Sequence, residues 1–459
     1  MSDTLPTATR VADPGIRALY TLETRWQAWL DVEVALAKAQ AELDIVPSAA
    51  AEAIARAARL ELLDRARIDE GFARTGHTLV PLIWELARVV GEPHGGWVHW
   101  GATTQNITQT GDLLVLRQAH RLLLRLTGEV LAAMADLARR GADMVLAGRT
   151  HGQHAVPATF GYKVAVWIDE LLRHVERMQQ AAPRLFVAML GGGAGTFASL
   201  GKRGPLVQAG IARHLGMGSM KVPSRALADH RAENICLLGM LAATCAKIGR
   251  EIYTLMKTEF GEVEEPVPPG TVGSSTMPQK RNPKLCQDVI ALCADVRACV
   301  PLALEAMQTE HEADRTTSLM MDAAEARAVI AMGDALSRLG VVTRELGLDP
   351  ARMRRNLELG GGLIMAEAVM LQLGTPLGRQ HAHDVVYDAA QAAFVEGRGF
   401  AAVLAADPRV TAHLEHAAID RLLDPVAYTG LCADMAREAA ERAQGAAATI
   451  GRHTMRNGG

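Results

Sequence analysis

The sequence has few aromatic residues, and its cysteines form no closely spaced pair. Phe, Trp and Tyr make up 4% of the 459 residues, whereas Ala, Leu, Met, Glu and Arg fill long stretches, a bias that favours packed helices over sheets. The six cysteines show no CxxC spacing and fall mostly in apolar helical patterns, where a thiol acts as a small hydrophobic group. We therefore predict no disulfide, no metal site and no cysteine nucleophile.

The sequence also lacks a strong charge imbalance and a long uncharged run. The formal net charge is −3 and no Lys/Arg-rich block occurs, which argues against a nucleic-acid partner and against an anionic membrane. No stretch of about 20 residues is free of charge. The amino terminus lacks the basic and apolar regions of a signal peptide. We expect a cytoplasmic protein with a small-molecule ligand and no membrane partner.

Apolar residues recur at helical spacing along most of the chain. This pattern predicts helices over Leu19–Leu43, Leu79–Val90, Ile107–Arg140, Phe160–Met178, Asp229–Glu259 and Pro283–Leu346. Their length indicates a bundle of long, mostly antiparallel helices. After Gly360–Gly362 the pattern predicts shorter helices separated by Gly and Pro. We predict an all-α fold with an N-terminal helical domain (1–105), a central long-helix bundle (106–350) and a small C-terminal helical domain (351–459).

Polar loops interrupt the predicted helices, and the richest of them is Gly270–Pro283. Gly and Pro bound this loop, so it is not regular helix, yet it carries two Ser, a Lys, an Arg and an Asn. Polar loops on rigid helices are where proteins place reactive groups. Candidate residues lie on this loop and on three other polar segments, near residues 77, 103 and 151: they are His77, Thr103, Thr104, His151, Ser274, Lys280 and Asn282.

These residue types suit an anionic substrate and proton transfer. Hydroxyl and amide donors with a Lys favour a carboxylate ligand, and a His exchanges protons near neutral pH. A Ser in a Gly-rich loop is either a nucleophile or, if nearby N–H groups stabilise its alkoxide, a base. The sequence has no GxSxG elbow in a strand–turn–helix context, which disfavours an acyl-enzyme hydrolase.

Two motifs point to other chemistry without support from their surroundings. Gly193, Gly195 and Ala198 match GxGxxA, but we find no βαβ pattern around them and predict a tight, close-approach turn. The His pairs at His151–His154 and His381–Asp384 do not have zinc-site spacing. We therefore predict neither a dinucleotide cofactor nor a metal.

The segment Gly273–Pro283, GSSTMPQKRNP, resembles the signature loop GSSxMPxKxNP of the fumarase/aspartase superfamily. Gly101–Thr104, Gly148–Gln153 and Gly362–Val386 resemble the same superfamily, so the likeness spans nearly the whole chain. The adenylosuccinate lyase and 3-carboxy-cis,cis-muconate cycloisomerase branches are the most similar. The resemblance implies an all-helical subunit whose central bundle forms a homotetramer, with each active site built from loops of three subunits.

The resemblance also implies the reaction, which is β-elimination from a succinyl-type substrate, usually releasing fumarate, without a cofactor. Ser274 matches the catalytic base, with Ser275 as the fallback, and His151 matches an acid or orienting residue. Lys280 and Asn282 match the groups that stabilise the aci-carboxylate intermediate. The implied substrate-binding residues are Thr103, Thr104, Lys280, Asn282, His77, Gln153, Ser275 and Met277.

Two departures from the superfamily pattern bear on the substrate. Where adenylosuccinate lyases carry a His-Glu-Arg-Asp run and a downstream Arg, this chain has Ala313 and Asp322, which argues against an AMP-bearing substrate. Relatives usually have Asp at the positions of Asn106 and Gln109. Two neutral amides there suit a small, highly anionic substrate or a leaving group without positive charge.

We therefore predict a carbon–nitrogen lyase that releases fumarate and an amine or another nitrogen leaving group. The alternative is lactonisation of the 3-carboxy-cis,cis-muconate cycloisomerase type. A helical scaffold without catalysis is disfavoured because Ser274, Lys280, Asn282 and His151 are all present.

Overall fold

The computed structural model describes residues 7–8, 10–267 and 274–456. Within these ranges the chain forms 18 α-helices and six short β-strands. The prediction of an all-α fold is confirmed. The first part of the predicted polar loop, residues 270–273, lies outside the described residues, and the three-domain division stays a prediction.

The helices are numbered in chain order. The amino-terminal helices are α1 Ile16–Leu19, α2 Leu22–Ala41, α3 Ser48–Ala57, α4 Arg65–Thr75 and α5 Val80–Val90. The next six are α6 Thr104–Arg140, α7 Phe160–Leu185, α8 Gly204–Leu215, α9 Asp229–Leu255, α10 Lys284–Glu305 and α11 Arg315–Glu345. The remaining helices are α12 Pro350–Glu358, α13 Ala366–Leu377, α14 Arg379–Glu396, α15 Phe400–Ala406, α16 Pro408–Thr411, α17 His416–Leu422 and α18 Cys432–Arg456.

The strands pair two by two. They are β1 Val145–Thr150, β2 Gln153–Thr159, β3 Val187–Ala188, β4 Gly218–Ser219, β5 Val263–Glu264 and β6 Gly347–Leu348. β1 and β2 are antiparallel, β3 and β4 are parallel, and β5 and β6 are antiparallel.

The predicted helices are present, with three changes in their limits. α2 begins after Thr21, whose side-chain oxygen accepts a hydrogen bond from the Thr24 amide, so the helix is shorter than Leu19–Leu43. The run predicted over Pro283–Leu346 is two helices, and Asp314 ends the break between them by accepting from the Thr316 amide at 2.8 Å. The C-terminal region was expected to hold only short helices, but α18 has 25 residues.

By its contacts the chain divides into two compact units. Unit 1 comprises 1–126, 174–243 and 291–337, and unit 2 comprises 127–173, 244–290 and 338–459. In unit 1, α2 packs against α3 and α8, and Trp26 and Trp29 are almost completely buried in its core. Burying each of these large side chains stabilises the fold by about 2–3 kcal/mol.

Unit 2 has its own apolar core. α13 packs against α14, and α14 against α15, around the fully buried Phe400 and Leu404. α12 packs against β1, where Leu357 is buried with Ala147. This packing fixes one face of the β1–β2 pair, which carries one of the candidate loops.

The polar segment Gly148–His154, expected to be a loop, is instead part of a β-hairpin. β1 and β2 pair from Val145 opposite Thr159 to Thr150 opposite Gln153. The connecting residues His151 and Gly152 have φ angles of 51° and 76°. Two successive left-handed residues match the twist of a tight hairpin turn, and the β-branched residues of both strands favour pairing.

The Gly-rich stretch before α8 makes the predicted close-approach turn. A Cβ at Gly195, which has a φ of 82°, would lie 2.3 Å from the Pro223 carbonyl oxygen, so only glycine fits there. The expectation that no βαβ unit surrounds this stretch is wrong, since β3, α8 and β4 form a minimal one. However, α8 begins only at Gly204 and no acidic residue lies at the end of β4, so the features of a dinucleotide site are not met.

All six cysteines are free thiols, and five of them are buried. The described part of the chain contains no group of three or more His, Cys, Asp or Glu side chains placed to hold a metal ion. Among the same residues no single helix is long and apolar enough to cross a membrane, and only the 83°-bent pair of Pro350–Glu358 with Leu363–Leu377 meets the length and composition criteria when joined.

Two buried histidines make the stability of unit 1 sensitive to acid. His120 is 4% exposed and neither ring nitrogen has a hydrogen-bond partner. Burial, with a contribution from Arg121, lowers its pKa to about 4. Burial and Arg231 likewise lower the pKa of His230 to about 4. Below the ordinary pKa of about 6.5 the unfolded chain therefore binds protons that the folded chain does not, so stability is lost as the pH falls.

We predict that His120→Leu flattens this acid dependence. Between pH 7 and 5 the wild-type free energy of unfolding should fall by about 2 kcal/mol through His120 alone, and the variant should lack this share. The measurement is denaturant unfolding at both pH values, with His416→Leu at an exposed position as the matched control. Equal pH dependence in the wild type and His120→Leu would contradict the assignment.

Candidate active site

The described part of the polar loop, Ser274–Pro283, precedes α10 in unit 2. The Ser274 hydroxyl oxygen accepts hydrogen bonds from the backbone amides of Thr276 and Met277, at 3.4 and 3.2 Å. Amide donors on an oxygen favour its anionic form. Ser275 is exposed, and no amide of the described residues donates to its hydroxyl. The local geometry therefore distinguishes the two serines and fits Ser274 better to the role of a base.

Acidic residues just before the loop hold its far end in place. Glu265 is buried, and its two carboxylate oxygens accept from the amides of Leu285 and Cys286 at 3.0 and 3.1 Å. These are first-turn amides of α10, which need acceptors from outside the helix. Burial raises the pKa of Glu265 although these amides oppose the shift. The neighbouring Glu264 accepts from Arg281 at 2.5 Å.

A cavity of about 810 Å³ opens beside the loop. The described residues that line it include the charged Lys257, Glu264, Lys280, Arg281 and Asp349, together with Gln279, Asn282 and Met277. Three cationic and two acidic side chains, counting Asp349, face this space. The Lys280 ammonium has no carboxylate partner among the described residues. The cavity thus presents an excess of positive charge, which suits an anionic ligand.

His151 lies at the exposed tip of the β1–β2 hairpin, followed by Gly152 and the exposed Gln153. Arg149 precedes it and makes a two-point ion pair with the fully buried Glu262. Burial and Arg149 lower the pKa of His154, the cross-strand neighbour of Arg149, while Glu262 raises it. Neither His151 nor Gln153 is among the described residues that line the cavity around Lys280.

In unit 1 the structure brings His77 and Thr104 together. The His77 Nε2 atom lies 3.5 Å from the Thr104 hydroxyl. Its Nδ1 atom accepts from the amides of Leu79 and Val80 at 3.3 and 3.2 Å, so in the neutral ring the proton is on Nε2. Thr104 is the first residue of α6, a position where free amides attract anions. This pair can donate hydrogen bonds to a carboxylate.

Asn106 holds Thr103 in place. Its side-chain oxygen accepts from the Thr103 amide at 3.0 Å and from the Gly192 amide at 3.1 Å. Asn106 is 1% exposed. Asn106, which stands where relatives usually have a charged Asp, therefore also joins the Thr103–Thr104 segment to the Gly-rich turn. Sequence spacing does not reveal this contact.

Asp322, which stands where adenylosuccinate lyases carry an Arg, is engaged with arginines of its own unit. Its two oxygens accept from Arg231 at 2.8 Å and from Arg25 at 3.4 Å. Arg25 also binds Asp112 and Arg231 also binds Glu325. Three carboxylates thus face two guanidinium groups, and this cluster does not offer the free cation that a phosphate needs.

Comparisons with known proteins identify the family. A family model described as Lyase matches residues 8–298, and one described as Adenylosuccinate lyase C-terminus matches residues 362–439. The chain is 38% identical to an N-acetyl-S-(2-succino)cysteine lyase of Enterococcus italicus over 92% of this chain and 93% of the relative.

A second relative and a solved structure are also similar to this chain over most of its length. The chain is 39% identical to the 3-carboxy-cis,cis-muconate cycloisomerase of Pseudomonas aeruginosa, over 90% of this chain and 91% of the relative. The crystal structure of a fumarate lyase from Mesorhizobium sp. BNC1 matches with a TM-score of 0.87 and 35% identity, covering 94% of this chain and 98% of that one. The protein is an enzyme of the fumarase/aspartase superfamily of lyases.

Proposed function

We propose that the enzyme catalyses β-elimination from a succinate that carries a heteroatom substituent, and that it releases fumarate. The observation that carries this proposal is the pair of amide donors on Ser274, in a loop that also directs Lys280 and Asn282 to a cavity with excess positive charge. A base next to carboxylate-binding cations is what removal of a proton beside a carboxylate needs.

The proton balance assigns a role to each group. The Ser274 alkoxide removes a proton from the carbon next to one carboxylate, and the resulting charge forms an aci-carboxylate dianion held by Lys280 and Asn282. Collapse of this dianion breaks the bond to the substituent on the neighbouring carbon and forms the double bond of fumarate. His151 gives a proton to the departing group, and proton exchange with solvent restores both residues.

Thr103, Thr104 and His77 are proposed to bind the second carboxylate. The Thr104 hydroxyl, the start of α6 and the Nε2 proton of His77 are suitable donors. Gln153, Ser275 and Met277 are proposed to contact the substrate because of their places beside His151 and in the loop.

The leaving group is proposed to be an amine or another nitrogen group. A thiol is the second candidate, because two relatives at 38% and 36% identity are named N-acetyl-S-(2-succino)cysteine lyases, whose substrate carries its succinyl group on sulfur. An AMP-bearing group is disfavoured, since Asp322 and its ion pairs replace a phosphate-binding Arg. Cycloisomerisation would release no fumarate, which separates it from both candidates.

We also propose that the enzyme is a cytoplasmic homotetramer with active sites shared between subunits. The support is the resemblance together with the exposed position of His151, which does not line the cavity around Lys280. A site that needs both groups is then completed by another copy of the chain.

Ser274→Ala should lower kcat about 10²- to 10⁴-fold, the usual contribution of a general base. Ser275→Ala should lower it much less, because no amide in the described part of the chain donates to the Ser275 hydroxyl. Steady-state release of fumarate by both folded variants measures the difference. The assignment fails if Ser275→Ala is the more damaged enzyme or if Ser274→Ala keeps normal turnover.

His151→Asn should separate the two leaving groups. An amine leaves poorly without a proton, whereas a thiolate, with a pKa near 8.5 for an ordinary thiol, leaves more readily. The variant should therefore lose roughly tenfold more kcat on an N-succinyl amine than on an S-succinyl thiol. Equal losses on matched substrates would remove His151 from the role of acid.

Mixing two inactive variants tests whether sites are shared. Ser274→Ala and His151→Asn should each be almost inactive, but subunits exchanged between them should regain about a quarter of wild-type activity, because a shared site draws its Ser and His from different copies. Unmixed variants treated in the same way are the control. If the mixture stays inactive although mass spectrometry shows hybrid oligomers, each site takes both residues from one chain.

A further inference from the structure

The segment Glu262–Glu265 lies between α9 and the signature loop, and its first residue is a buried carboxylate. Glu262 is 0% exposed. One of its oxygens accepts from Arg149 at 2.5 Å and from the Asn356 amide group at 2.7 Å, and the other accepts from Arg149 at 3.2 Å. Charge-assisted contacts of this kind are strong and directional, so they fix the Arg149 side chain.

Arg149 in turn belongs to the hairpin that carries His151. It lies two residues before the hairpin tip, opposite His154 on β2. Its guanidinium group also reaches the Ala147 carbonyl at 3.4 Å and stacks over Phe260 at 5.0 Å. The end of the hairpin is therefore held from one side, while β1 packs against α12.

The backbone of Glu262 is itself immobilised. Its amide donates to the Leu255 carbonyl at 2.9 Å, and its carbonyl accepts from the Asp349 amide at 3.0 Å. The next two residues form β5. Glu264 binds Arg281, and Glu265 binds the first amides of α10. One short segment thus contacts both the hairpin with His151 and the closing end of the loop with Ser274.

A buried ion pair is a poor way to gain stability alone, because desolvation offsets much of its Coulomb energy. It is, however, an effective way to hold a side chain in one orientation. His151 is at an exposed tip and has no hydrogen bond of its own among the described residues, so its position depends on how the strands beneath it are fixed. Arg149 and Glu262 supply that fixation.

We propose that Glu262 is a positioning residue of the elimination reaction, which acts through Arg149 to set the hairpin tip that carries His151. The proposal rests on the proposed function, in which His151 protonates the leaving group. Asn356 completes the arrangement by donating to the same carboxylate and to the Phe260 carbonyl at 2.9 Å.

The test is Glu262→Gln, which keeps the shape of the side chain and removes its charge. kcat should fall on the order of 10- to 100-fold, because small misplacements of a reacting group have effects of this size. KM should change less than about threefold, since the carboxylate-binding residues are not moved. An amine substrate should suffer more than a thiol substrate, a split that a general loss of folded enzyme would not produce.

The matched control is Asp143→Asn, which removes an exposed ion pair with Arg437 in the same unit and should leave kcat and KM unchanged. Arg149→Gln should resemble Glu262→Gln. The double variant should be no more than about threefold worse than the worse single variant, because both changes break one chain of contacts. Multiplied effects in the double variant would contradict action through Arg149.

A second readout does not depend on activity. The Glu262 carboxylate raises the pKa of His154, so Glu262→Gln should lower that pKa. It should also shift the NMR signals of His151 in histidine-labelled protein. Asp143→Asn should do neither. Unmoved signals, or kcat within twofold of wild type, would overturn the proposal. If wild-type enzyme releases no fumarate, the proposed function fails but this readout still decides the positioning. Asn356→Ala serves the same test if Glu262→Gln does not fold.

Discussion

Unit 2 depends on the requirement that a buried carboxylate be paired. Glu262 and Glu265 are both buried, and each is satisfied by a different part of the unit. Glu262 takes the Arg149 guanidinium group, and Glu265 takes the first amides of α10. Because unpaired charges are costly in an apolar interior, these two residues constrain the segments they bind, and those segments carry the candidate chemistry.

The long helices supply rigidity, and their ends supply polarity. Thr104 starts α6, and the loop with Lys280 and Asn282 leads into α10. Amides at helix starts lack intrahelical partners and suit anion binding. At α10 the Leu285 and Cys286 amides are already bound by Glu265, so the start of α6 is the better candidate. In the proposed reaction the other carboxylate is bound by Lys280 and Asn282 on the loop. The proposal therefore needs residues from separate loops, although the helices account for most of the chain.

Much of the fold could be predicted from the sequence because helical periodicity is a local signal. The polar residues of Gly148–His154 predict a loop, although the β-branched residues around it and the His151–Gly152 pair indicate the hairpin that the structure shows. The signature loop was identified from its own residues. The contact of Arg149 with Glu262 was not, because 113 residues separate them and no local pattern encodes the pairing. The three glutamates of Gly261–Pro266 mark this segment in the sequence but do not indicate its partner. The sequence likewise does not indicate that Asn106 binds the Thr103 and Gly192 amides.

The most direct test of the elimination mechanism is its reverse reaction in heavy water. Fumarate is supplied with a panel of amines and thiols, and the products are examined by NMR. We predict an addition product that carries one deuterium, in a single configuration, on the carbon next to the one that bears the new substituent. Addition with deuterium in both configurations, or no addition product with any amine or thiol, would contradict it.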